Sequence, residues 1–178
     1  RIAALSVDAR ALLEVVCVAS GALSRDVAVG AASSVRRASG WNVPPTSPAS
    51  PSSSSSNAPD APELPVVDAE AAIAHLRTAR FVRVRHVDGK EMLEPYHDKI
   101  REAVARGADE RARANLHRAL AEALVATGTA APEALARHLR AAGDRKGAAR
   151  WAVAAADRAA RSFAFAQAAL LYDSALAL

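Results

Sequence analysis

The sequence has a single cysteine, few aromatic residues and no long apolar run. Cys17 cannot form an internal disulfide, and its valine neighbours predict a small core residue rather than a reactive thiol. No apolar run approaches the roughly 18 residues that span a bilayer, and the chain has no charged-then-apolar signal sequence. We therefore expect a cytoplasmic location and no membrane partner.

The sequence motifs of nucleotide enzymes and zinc sites are also missing. No Gly-x-x-x-x-Gly-Lys-Ser/Thr phosphate loop occurs, and the glycine-rich loop, His-Arg-Asp and Asp-Phe-Gly motifs of protein kinases are absent. The five histidines, at 75, 86, 97, 117 and 138, do not form the close His/Cys pairs of a zinc site. This chain by itself is predicted to have no catalytic residue, no metal and no cofactor.

The charge of the chain is mildly positive, at +4, and 20 of its 23 cations are arginine. Nucleic-acid-binding domains concentrate cations on one face. The nearest approach to a cluster here is formed by five residues, Arg77, Arg80, Arg83, Arg85 and Lys90. Because Arg83 and Arg85 alternate with valines, we interpret them as a solvated strand face, with contact to DNA phosphate as the alternative.

Residues 42–65 differ in composition from the rest of the chain. They contain seven of the nine prolines and seven serines, and almost nothing that could enter a core. Such a segment cannot bury enough apolar surface to offset the entropy lost on ordering. It is predicted to be a disordered insertion.

Residues 1–105 are predicted to form a winged-helix domain around this insertion. Ser6, Ser24 and Asp68 are candidate N-caps of three helices. The third helix is followed by an alternating strand, the turn dipeptide Asp88-Gly89 and a returning strand at 90–93. Helix, helix, helix and hairpin is the order of a winged helix, and long loops are tolerated because closure entropy grows only logarithmically with loop length.

Residues 106–178 are predicted to be a helical linker followed by the start of a tetratricopeptide-like array. Helices are expected over 109–127, from Pro132 to Gly143, from Asp144, and after Ser162. Small residues at helix contacts and one aromatic per helix are typical of such pairs. Three aromatic residues are interpreted as packing residues, with peptide binding on the concave surface as the alternative: Trp151, Phe165 and Tyr172. The fold class is therefore predicted to be mainly α, and the chain is interpreted as a piece of a longer polypeptide.

Four stretches together resemble a family of large bacterial signalling proteins: residues 5–19, 72–83 and 94–102, and the alanine-rich helices that end at 168–172. In that family a serine/threonine kinase, cyclase or transcription-factor module is joined to a signal-transduction ATPase with numerous domains, followed by tetratricopeptide-like repeats. The resemblance implies partners in the same polypeptide, namely an ATPase core and an effector domain. It also implies ATP or ADP with magnesium in the parent protein.

The stretch Glu94-Pro95-Tyr96-His97-Asp98 carries the most specific part of this resemblance. In related ATPases a Met-His-Asp motif opens a winged-helix helix, and its histidine contacts the β-phosphate of ADP. The resemblance gives that role to His97, with Asp98 as its companion, while Tyr96 stands where the motif has methionine. The alternative is structural: Asp98 would stabilise a helix N-terminus and His97 would form a hydrogen bond within the domain.

Three functions are therefore considered for the chain. The first is a non-catalytic relay that passes nucleotide state to a protein partner on the helical repeats. The second is a DNA-binding winged helix, in which a helix over 69–80 enters the major groove; its mainly alanine, isoleucine and leucine content makes DNA an unlikely partner. The third is a purely structural adaptor.

Overall fold

The computed structural model describes residues 2–19, 21–38 and 68–178. The described residues form a mainly helical fold with a small antiparallel sheet, as the composition and periodicity predict. The predicted disordered insertion 42–65 lies outside them. After a short 3-10 turn at Ile2–Ala4, the elements are α1 (Val7–Val18), β1 (Leu23–Ser24), α2 (Arg25–Ala38), α3 (Ala69–Thr78), β2 (Val82–Val87), β3 (Lys90–Pro95), α4 (Asp98–Gly107), α5 (Glu110–Thr127), α6 (Pro132–Ala141), α7 (Arg145–Arg161) and α8 (Phe165–Leu176).

Helix starts follow the local sequence closely. Ser6 caps α1 by accepting a hydrogen bond from the Ala9 amide at 3.2 Å, and Asp68 caps α3 by accepting one from Ala71 at 3.1 Å. Asp109 and Asp144 cap α5 and α7 in the same way. Ser24, a predicted cap, lies in β1 directly before α2.

The predicted hairpin is confirmed. Strands β2 and β3 pair antiparallel from Val82 opposite Pro95 to Val87 opposite Lys90. Asp88 and Gly89 connect them with φ values of 49° and 75°, the left-handed pair that a tight hairpin turn requires. The two-residue strand β1 adds to the other edge of β3, so the strand order is β1-β3-β2.

The core lies between α1, the sheet and α5. Leu12 and Leu13 of α1 are fully buried, as is Leu93 of β3. Leu116 and Leu120 of α5 belong to the same buried cluster. The core therefore continues across the predicted domain boundary at 105/106, and α5 is shared between the two predicted domains.

Helices α5, α6 and α7 each pack on the helix that follows in sequence. The turns after α6 and α7 have the same hydrogen bond, from the Asp144 amide to the Leu139 carbonyl and from the Ala164 amide to the Ala159 carbonyl, each 2.9 Å. Each turn contains a residue with positive φ, Gly143 in the first and Phe163 in the second. The same bond ends α3, where the Phe81 amide donates to the Leu76 carbonyl at 2.9 Å, so it is a general helix ending of this chain.

The aromatic residues of this region pack less than predicted. Trp151 is half-buried, in agreement with the packing interpretation. The packing prediction was wrong for Phe165, which is 65% exposed. Tyr172 is also exposed, at 39%. Both lie on α8, whose apolar surface beyond the contact with α7 is uncovered among the described residues.

Candidate functional site

The candidate site is the junction between β3 and α4. Pro95 ends β3 as a buried residue, and the Tyr96 amide donates to the Phe81 carbonyl at 3.0 Å. This bond closes the hairpin at its base and directs the chain outward at His97. Helix α4 then begins at Asp98, so the predicted handover from hairpin to helix is confirmed.

His97 is the N-cap residue of α4, but its side chain makes no capping hydrogen bond. Its backbone is extended, with φ of −144° and ψ of 149°, and its carbonyl accepts from the Ile100 amide at 3.0 Å. The imidazole is exposed and contacts the ring of Tyr96 edge-on, with 4.9 Å between centroids. Among the residues that the structure describes, neither imidazole nitrogen has a hydrogen-bond partner, so both are accessible to a group that approaches from outside.

Asp98 is exposed in the first turn of α4, where a carboxylate interacts favourably with the helix N-terminus. The structural interpretation of the His-Asp pair is thus supported at Asp98, whose charge stabilises the helix N-terminus. It is not supported at His97, whose side chain makes no capping hydrogen bond. Chemically, an exposed imidazole beside the free amides of a helix start can bind a phosphate oxygen.

The outer face of the hairpin is charged and paired. Arg83 Nε lies 2.7 Å from a carboxylate oxygen of Glu94, and Arg85 lies 3.5 Å from the same oxygen. The two arginine side chains are 52% and 63% exposed. The prediction that these arginines lie on a solvated strand face is confirmed. Their shared partner Glu94 was not predicted from the sequence.

The other end of the sheet has a second ion-pair group. Arg25, at the start of α2, binds Glu70 of α3 and lies 3.3 Å from Glu91 of β3. The pKa of Arg25 is raised, mainly by its hydrogen bond to Glu70. Three elements that are distant in sequence are joined there by one guanidinium.

The structure also brings together residues that the sequence analysis left apart. His117 of α5 and His138 of α6 are separated by 21 positions, yet their Nδ1 atoms are 2.9 Å apart. Cys17 is buried, as predicted, and burial raises its pKa to about 12. A cavity adjoins both Cys17 and His117 and is also lined by Arg101 and Arg113.

Neither a metal site nor a membrane-spanning helix occurs among residues 2–19, 21–38 and 68–178. Among them no group of three or more His, Cys, Asp or Glu residues could hold a metal ion. In the same ranges no helix is long and apolar enough to cross a membrane.

Comparison with known proteins adds no relative. No family model, no curated protein and no solved structure matches this chain.

Proposed function

We propose that this chain is a non-catalytic regulatory segment of a multidomain signalling ATPase of the type joined to serine/threonine protein kinases. In this proposal a winged-helix unit senses the nucleotide held by an ATPase core elsewhere in the polypeptide. A tetratricopeptide-like array then presents the response to a protein partner. His97, assisted by Asp98, is the contact to the β-phosphate of ADP.

The observation that carries the proposal is the exposed, uncapped imidazole of His97 at the start of α4. A histidine that only stabilised the helix would use its side chain in the cap. Here Asp98 places a negative charge in the first turn of α4, and the exposed imidazole is available to a phosphate that another domain presents.

The topology supports the winged-helix part of the proposal. The order of helix, short strand, two helices and hairpin, with strand order β1-β3-β2, is compatible with that fold. The packing of α5 on α6, α6 on α7 and α7 on α8 supports a helical-hairpin array. Because α5 packs on α1 and α2 as well as on α6, a displacement of the first unit would be transmitted to the array.

DNA binding is the less favoured alternative. The helix and hairpin that would contact DNA, residues 68–95, carry five cations and five acids, so their formal charge is zero. Arg83 and Arg85 share Glu94, and Arg25 binds Glu70 and Glu91. A phosphate backbone would have to displace these acids, whereas DNA-binding surfaces gain affinity from cations that are free to pair with phosphate.

The test is His97→Ala in the polypeptide that joins this chain to its nucleotide-binding core. A charge-assisted hydrogen bond to phosphate is worth about 1.5–3 kcal/mol, so ADP release should accelerate by roughly 10- to 100-fold. His75→Ala is the matched control, because His75 is another exposed histidine and lies on α3. Unchanged ADP release in His97→Ala, with normal folding, would reject the sensor role.

A second measurement uses the 178-residue chain alone. We expect no calorimetric signal for ADP or ATP at micromolar concentration, because the chain has no phosphate loop. Fluorescence anisotropy with duplex DNA at rising salt separates the alternative: steeply salt-dependent binding would favour the DNA-binding function over the relay.

A further inference from the structure

The interface between α5 and α6 contains a buried pair of histidines. The Nδ1 atoms of His117 and His138 are 2.9 Å apart, a hydrogen-bond distance, and the ring planes are inclined by 35°. His138 is 3% exposed and His117 is half-buried. Their hydrogen bond is therefore shielded from water on the His138 side.

The bond fixes how many protons the pair can hold. When both rings are neutral, one carries its proton on Nδ1 and donates it, while the other carries its proton on Nε2 and accepts at Nδ1. One added proton can be accommodated, because the resulting imidazolium still donates to a neutral ring. A second added proton places two N–H groups face to face, and the hydrogen bond is lost.

The charges around the pair oppose added protons. Arg137, next to His138 on α6, and Arg113 on α5 act on the pair as cations. On the side of α1 and α4, the cavity beside His117 is lined by Cys17 and Arg101.

The acids at the two ends of α6, Glu133 and Asp144, have other partners than the histidines. Glu133 at the start of α6 binds Arg158 of α7 at 2.8 Å. Asp144, before α7, accepts from the Gly147 amide at 2.9 Å. The first residues of α7 are the cations Arg145 and Lys146, so α7 adds positive charge next to the end of α6.

Burial is the main cause of the resulting shifts. It lowers the pKa of His138 to about 4, with His117 and Arg137 contributing in the same direction. Burial, Arg137 and Arg113 also lower the pKa of His117. Both rings are therefore neutral and hydrogen-bonded at neutral pH.

The pair lies where the helical array joins the rest of the molecule. On its other side α5 packs on α1 and α2 in the core, while α6 is followed by α7 and α8. The second polar link across this interface is a hydrogen bond from Arg118 of α5 to the Ala142 carbonyl at 3.2 Å. Loss of the histidine bond would leave the junction with this link and its apolar contacts.

We propose that the α5/α6 interface is an acid-sensitive hinge, in which double protonation of His117 and His138 separates α6 to α8 from α5 while α1 to α5 stay folded. The inference does not depend on the proposed relay, because it concerns only contacts within this chain.

The direction of the pH effect follows from the shifts. In the opened interface both rings return toward the ordinary pKa of 6.5 and take up protons as the pH falls below that value. The closed interface cannot bind its proton at His138 until the pH approaches about 4. The free energy that favours the closed interface therefore has its full value above pH 6.5 and decreases as the pH falls from 6.5 to about 4.

Amide hydrogen exchange of the 178-residue chain tests this hinge. After each rate is divided by the intrinsic rate at the same pH, the open fraction of α6 should rise on the order of 50-fold between pH 7.5 and 4.5. Amides of α1 and α2 should change by less than about threefold. If they open together with α6, the transition is global unfolding and the hinge is rejected.

His138→Asn is the decisive variant. An asparagine amide can reach the position of Nδ1 and bond to His117, but it does not titrate. We expect the acid-induced opening of α6 to fall below about fivefold in this variant, and to persist unchanged in the control His75→Asn, which alters an exposed histidine. An unchanged response in a folded His138→Asn protein would overturn the proposal.

The wild-type chain offers a check that needs no variant. Nitrogen-15 spectra at pH 7.5 should show one of the two rings protonated at Nδ1 and the other at Nε2. If both rings are protonated at Nε2, the hydrogen bond does not exist in solution and the proposal is wrong, whatever the exchange data show.

Discussion

Phe163 has an unusual backbone conformation for its residue type. Its φ is +60° in the turn between α7 and α8, and its side chain is 81% exposed. The left-handed conformation costs a residue with a Cβ atom roughly 1 kcal/mol. Phe163→Gly should therefore stabilise the chain by about 0.5 kcal/mol in urea unfolding, because the variant relieves the backbone strain and loses an exposed edge-on contact with Phe165, at 6.1 Å between centroids.

The equivalent turn after α6 provides the matched control. Gly143 has φ of +81°, and a Cβ atom added there would meet nothing within 4 Å. Gly143→Ala should destabilise by about 1 kcal/mol for conformational reasons alone. Opposite signs for the two variants are required; a loss of stability in Phe163→Gly would show that the aromatic ring contributes packing that outweighs the backbone strain.

Cys17 should react slowly while the chain is folded. Burial raises its pKa from 9.0 to about 12, so the thiolate fraction at pH 8 falls by on the order of a thousandfold. Alkylation by iodoacetamide should be slower than that of the urea-unfolded chain by at least about a hundredfold. Equal rates in the two states would show that the thiol is accessible, contrary to its burial.

Residues with local roles were predictable, and those with distant partners were not. Cys17 was assigned to the core because its sequence neighbours are valines. His117 and His138 lie 21 positions apart on different helices, and only the packing of α5 on α6 brings them together. The position of His97 before α4 was predicted, but its missing cap hydrogen bond depends on side-chain geometry that spacing cannot reveal.

Among the elements, Asp8 in the first turn of α1 joins three helices. Its carboxylate binds the guanidinium of Arg36 in α2 and accepts from the Asp68 amide, at the start of α3, at 3.3 Å. The Arg36 side chain is only 9% exposed. Asp8→Ala would leave this buried guanidinium without its acid, so we expect a loss of about 3 kcal/mol in urea unfolding.

Asp26→Ala is the control for this variant. Asp26 is also an acid in the first turn of a helix, α2, but it is exposed. Its loss should cost about 0.5 kcal/mol, the contribution of a carboxylate near a helix N-terminus. If the two variants lose the same stability, the link from Asp8 to Arg36 and Asp68 adds nothing beyond the helix dipole.

Element boundaries that depend on a few neighbouring residues, such as helix caps and hairpin turns, were predicted correctly. The caps Ser6 and Asp68 and the hairpin turn at Asp88-Gly89 depend only on neighbouring amides and backbone angles. Strand β1 has two residues, too few for a periodic signal, and exists because β3 offers it a partner edge. The exposure of Phe165 was missed because an apolar helical face does not reveal whether another helix covers it.

At the scale of the whole molecule, α5 connects the core to the C-terminal helices, because it packs on α1 and α2 as well as on α6. Leu116 and Leu120 complete a core built by α1 and β3, while His117 and Arg118 face α6. The apolar residues of α5 indicated a helix, but their periodicity could not show that its two sides serve different parts of the chain. A cut at the predicted boundary 105/106 would expose the core.

Asp8 contacts residues on both sides of the predicted insertion. Arg36 precedes residues 42–65 and Asp68 follows them, and both bind the carboxylate of Asp8. Arg36 and Asp68, on the two sides of the insertion, are thus held near one point. The chain needs only a short connection between α2 and α3, and loop-closure entropy favours a shorter one.

We therefore expect replacement of residues 42–65 by six Gly/Ser residues to leave the fold intact. The free energy of unfolding should stay within about 1 kcal/mol, with a small gain from the shorter loop, since doubling a loop costs only about 0.6 kcal/mol. Urea unfolding is the measurement, and the same replacement combined with Asp8→Ala is the control. The combined variant should lose the stability lost in Asp8→Ala less the small gain from the shorter loop, because the two changes are expected to add. A loss of cooperative unfolding in the replacement alone would show that residues 42–65 contribute to the core.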